Sequence, residues 1–84
     1  MAQNRPPLVV LAAGSNGAGA ITVAGAKIGD LVTSFNFTDG LTTVANTFEA
    51  VVSVDGQVQQ GSGTNFSAKT FVFILYPQGW KGVQ

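Results

Sequence analysis

Seven consecutive residues near the C-terminus, Thr70-Phe71-Val72-Phe73-Ile74-Leu75-Tyr76, carry apolar side chains at odd and even positions alike. Successive side chains of a strand point to opposite faces. A strand of this composition therefore needs cover on both. A chain of 84 residues buries only about 60% of its unfolded surface and rarely supplies both covers itself. The run predicts a core that is completed by further copies of the chain or by a partner.

Domains of this size usually compensate with disulfides, a metal or oligomerisation. Cysteine and histidine are both absent, which removes disulfides and the usual ligands of zinc and copper. The four carboxylates, Asp30, Asp39, Glu49 and Asp55, are scattered and match no calcium-loop spacing. No metal or cofactor is expected, and oligomerisation is the route left. Net charge is zero and only 10% of residues are charged, a balance that favours self-association. Arg5, Lys27, Lys69 and Lys81 form no basic stripe, so nucleic acid is not an expected partner. No apolar run approaches the ~20 residues of a membrane-spanning helix, and no membrane partner is expected.

Local signals divide the chain into an extended N-terminal arm (1–7), one β-domain (8–77) and a C-terminal tail (78–84). Pro6 and Pro7 favour extended backbone. Leu8–Ala13 after Arg5 loosely imitates a secretory signal, but it is short and preceded by prolines, so it reads as a first strand. Gly14 to Gly19 reads as a loop, and 20–24 as a short strand. Residues 31–37 alternate, with Leu31, Thr33, Phe35 and Phe37 on one side and Val32, Ser34 and Asn36 on the other. Asp39-Gly40 marks a turn before a brief strand at 41–44. Residues 47–54 read as a strand with Phe48, Ala50, Val52 and Val54 on one face. Asp55-Gly56 then signals a hairpin into Gln57–Gln60. Residues 61–68 form a polar loop containing Phe66. The two-faced strand runs over 69–76 and Pro77 ends it. The expected fold is all-β: a small antiparallel sandwich or jelly-roll-like barrel of about seven short strands.

No catalytic set emerges. Gly14 to Gly19 lacks the order and context of a phosphate-binding loop, so a flexible surface loop is the expectation. Ser and Thr have no histidine as base. Asp39 and Glu49 could be imagined as a glycosidase pair, yet each has a local explanation in a turn or on an exposed strand face. Asn36-Phe37-Thr38 and Asn65-Phe66-Ser67 match the glycosylation pattern, which matters only in a secretory context. Gln57, Gln59 and Gln60 fit a solvent-facing hairpin arm, with an amide ladder or polar subunit junction as the alternative. Tyr76 and Trp80 suit interface anchors or packing within one subunit.

The strings Gly25-Ala26-Lys27-Ile28-Gly29-Asp30-Leu31-Val32, Phe48-Glu49-Ala50-Val51-Val52-Ser53 and Gln57-Val58-Gln59-Gln60, followed by the closing strand, resemble small virion proteins of tailed bacteriophages. The likeness runs from Ala20 to Tyr76. It implies a compact β-protein with a non-enzymatic structural role, often a homotrimer. Such a protein would sit on the capsid exterior against the major capsid protein or another virion protein. No long fibrous repeat is present, which favours a decoration or cement protein over a fibre or tail component. A small binding module for carbohydrate or another surface ligand, using Phe66, Tyr76 and Trp80, is the other reading. For the two-faced strand, Phe71, Phe73 and Leu75 are expected inside. Val72, Ile74 and Tyr76 are expected at a subunit boundary or second sheet, joined at the interface by Trp80, Pro6 and Pro7. The arm is expected to reach a neighbour.

Overall fold

A computed structural model describes residues 5–43 and 47–79, with the backbone alone at 42 and 43. The six strands are β1 (Leu8–Ala13), β2 (Gly19–Thr22), β3 (Leu31–Asn36), β4 (Thr42–Thr43), β5 (Gln57–Gln60) and β6 (Thr70–Tyr76). All pairings are antiparallel. The larger sheet has the order β1-β6-β3, with the two-residue β4 beside β3; the smaller pairs β2 with β5. No described residue is helical.

The two-faced run became the central strand of the larger sheet. Its inward residues Phe71, Phe73 and Leu75 are fully buried. In register, Leu8 and Val32 flank Leu75, Val10 and Ser34 flank Phe73, and Ala12 and Asn36 flank Phe71. Ile21, Val23, Val52 and Val58 join the same core cluster. Phe48 closes it, edge-on to both Phe71 and Phe73 with ring centroids 4.9 Å away in each case. Such contacts add roughly 0.5–1.5 kcal/mol each beyond the area they bury. Phe66, from the polar loop, stands edge-on to Phe71 at 5.4 Å.

Three expectations change. The sheets do not close into a barrel, because neither β1 nor β4 has a second neighbour in the larger sheet. The strand expected at 47–54 is not continuous; it makes isolated bridges from Phe48 to Gln60, from Leu31 to Val51 and from Val54 to Gln57. Its start bonds to the smaller sheet, with Glu49 N–H donating to the Gln59 carbonyl. Its middle bonds to the larger sheet, with Val32 N–H donating to Ala50 and Val52 N–H to Asp30. A segment that changes sheets must turn, and turning breaks the period of two. Phe48 and Val52 are accordingly buried, while Ala50 and Val54 are exposed. The third change is the side of the hairpin glutamines. Gln60 is 2% exposed and lies inside with Val58, whereas Gln57 and Gln59 are half-buried on the other face.

Candidate interaction surface

The outer face of the larger sheet is mostly apolar, with Thr33 and Thr70 as its polar members. Antiparallel partners share a face. The register therefore places Val9 beside Ile74, Leu11 beside Val72, Leu31 beside Tyr76, and Phe35 beside Val72. Val9, Leu11 and Leu31 are 63%, 57% and 55% exposed, and Phe35, Val72, Ile74 and Tyr76 are half-buried. No charged residue stands in β1, β3 or β6. Three strands of six residues give a surface of about 20 by 14 Å, on the order of 300 Å² in projection. Apolar patches of this scale on small proteins are often functional. Val51, the bridge partner of Leu31, widens it at one end and is 45% exposed. There Gly29, Leu31, Val51, Tyr76, Pro77 and Gln78 line an open groove of about 590 Å³.

Local chemistry ties down the start of β3. Asp30, 1% exposed, ends the turn before β3. Its carboxylate accepts from Arg5 Nη2 at 2.5 and 2.6 Å and from Lys27 N–H at 3.0 Å. A buried carboxylate is tolerated because the guanidinium compensates it. The same pair binds Arg5 of the arm to the chain's own domain. Pro6 follows as an exposed residue and Pro7 as a half-buried one. Trp80 and residues 1–4 and 80–84 of the arm and tail lie outside the described residues, as does residue 44 of the brief strand expected at 41–44.

The other candidates are occupied structurally. The Gln60 side-chain nitrogen donates among the carbonyls of Gly17, Ser62 and Thr64 at 2.9–3.0 Å, with that of Ser15 at 3.4 Å. Its oxygen accepts from Ser15 N–H at 2.8 Å. One amide thus ties the glycine loop to the 61–68 loop. Gly14 sits against Phe66 and Phe71 so closely that an added Cβ would lie 2.5 Å from Phe66 Cβ. The glycine at this position therefore answers a packing need. Two N–H groups that a phosphate would require are already used, Gly14 on the Lys69 carbonyl and Ser15 on Gln60. Asp39 accepts from Asn36 Nδ2 at 2.9 Å and pairs with Lys69 at 3.0 Å. Glu49 accepts from Ser53 Oγ and from Gln59 N–H, both at 2.8 Å. Of the aromatics offered for a sugar platform, Phe66 is packed on Phe71; its neighbour Asn65 accepts through Oδ1 from Ser67. Among the described residues no three acidic side chains gather as a metal site would need.

Sequence reasoning grouped Val72, Ile74 and Tyr76 from alternation alone, and the register places all three on the outer face. It did not find the Arg5–Asp30 pair or the role of Gln60. The Val58–Gln60 spacing was the one available signal for Gln60, since a strand face that buries Val58 buries Gln60 too. Comparison with protein-family models, curated proteins and solved structures found no match to the chain.

Proposed function

We propose that this chain is a non-enzymatic structural protein of a bacteriophage particle. In this reading it is a small β-sandwich that decorates or cements the capsid exterior, associates with copies of itself, and docks on the major capsid protein or another virion protein. The outer face of β1-β6-β3 carries the reading: an uncharged, mostly apolar sheet surface on a chain with very little charge elsewhere. A protein working alone in water gains nothing from such a face, whereas a building block uses it to bury area against its neighbour. Among the described residues, Asp39, Glu49 and the glycine loop are engaged in hydrogen bonds within the fold, which supports a structural over a catalytic reading.

Ile74 is the central test position, because it projects from the middle strand of that face between Val9 and Thr33. An Ile74→Asp chain is expected to fold, since an outward carboxylate stays hydrated, and to be missing from purified particles. Its circular dichroism and its abundance in particles, measured against the unaltered chain, decide the matter. Normal incorporation of Ile74→Asp would remove the reading.

A further inference from the structure

The open edge of the larger sheet points to a specific self-association. Gly14 N–H donates to the Lys69 carbonyl at 3.1 Å, which extends the β1–β6 register by one pair beyond Ala13 and Thr70. Bonding and non-bonding pairs alternate along an antiparallel ladder. Leu8, Val10 and Ala12 therefore bond to β6. Val9, Leu11 and Ala13 turn their N–H and C=O groups away from it, toward the free side of β1. No described group accepts from or donates to them there. Proteins normally guard such an edge with a lysine, an inward charge, a proline or a bulge. Here the register is unbroken from Leu8 to Ala13, and no residue of β1 is charged or a proline.

We propose that β1 pairs antiparallel with β1 of a second copy across a two-fold axis, joining the two larger sheets into one. The opposite edge of this sheet explains why the partner strand is β1 itself. β3 is already covered there by β4 and by Ala50, whose carbonyl accepts from Val32. A head-to-tail ring needs two different open edges; among the described residues the free side of β4 is only two residues long, so β1 is the one edge of useful length, and pairing through one edge gives the isologous, two-fold contact. The free side of β2 offers only the four residues Gly19–Thr22 of the smaller sheet. With Leu11 opposite the partner's Leu11 and Val9 opposite the partner's Ala13, large side chains meet small ones beside a central leucine pair. That register forms about six main-chain hydrogen bonds. It also merges the two outer faces into one continuous apolar surface of about twice the area. A two-fold dimer takes the place of the trimer that the resemblance implied.

Amide hydrogen exchange on the full chain, followed by NMR alongside sedimentation velocity, tests this. The expected particle is a dimer in which Val9, Leu11 and Ala13 amides are protected like those of Val10 and Ala12. In a monomer these odd-numbered amides would exchange on the order of 100-fold faster. Leu11→Pro removes an outward donor without touching a bond to β6. It is expected to yield a monomer with Val10 and Ala12 still protected. The unaltered chain decides alone should that variant not fold. A monomer, a trimer, or a dimer with freely exchanging odd-numbered amides would overturn the proposal. None of these results bears on capsid docking through Ile74, which lies on the sheet face and not on its edge.

Discussion

Gln60 shows how much one side chain organises in a domain without disulfides. Its amide nitrogen faces carbonyl oxygens from two loops and its oxygen takes the Ser15 N–H. Each buried group left unpaired costs about 1–3 kcal/mol. Gln60→Ala is therefore expected to lower unfolding free energy by about 2 kcal/mol or more in urea titrations. Gln60→Glu should be worse, because it aims a carboxylate oxygen at carbonyl oxygens. A Gln60→Glu protein as stable as the original would show that the amide's orientation does not matter. The strand period could have signalled the burial of Gln60, but neither its partners nor the Arg5–Asp30 pair was legible in the sequence. Gln60 and Ser15 are 45 positions apart, Arg5 and Asp30 are 25 apart, and polar pairing over such distances leaves no local pattern. The turns at Asp39-Gly40 and Asp55-Gly56 were legible because their chemistry is local: Gly40 and Gly56 have φ of 87° and 77°, which glycine adopts without a Cβ penalty.

Among the elements, β1, β5 and β6 were the easiest to read and 47–54 the hardest. Alternation identifies the two faces of β3, but alternation alone does not say which is buried. Its inward face carries Val32, Ser34 and Asn36 beside Leu75, Phe73 and Phe71 of β6, and the face with Leu31 and Phe35 is left outside. Asn36 is accommodated near Phe71 because its amide is engaged by Asp39. The 47–54 segment was misread for a different reason. It serves both sheets, and its hydrogen bonds change partner at Ala50. Phe48 is its anchor, wedged edge-on between Phe71 and Phe73. Phe48→Ala should cost about 3–5 kcal/mol. Thermal or urea unfolding checks this; a loss below about 1 kcal/mol would mean that the corner collapses to refill the space.

At the scale of the whole molecule, the central strand has one face in the core and the other on an apolar surface. The chain buries Phe71, Phe73 and Leu75 completely, and leaves Val9, Leu11 and Leu31 more than half exposed on the opposite side. That β6 would carry apolar residues on both faces was readable from composition. Which residues share its outer face was not, because that depends on which strands flank β6. On the proposed function, this face is expected to be covered in the working state. Imaging the intact particle at side-chain resolution is the most direct test. The predicted result is that Val72, Ile74 and Tyr76, with Val9 and Leu31 around them, lie against a capsid or other virion subunit. A particle in which the chain presents that face to solvent, or from which the chain is absent, would contradict it.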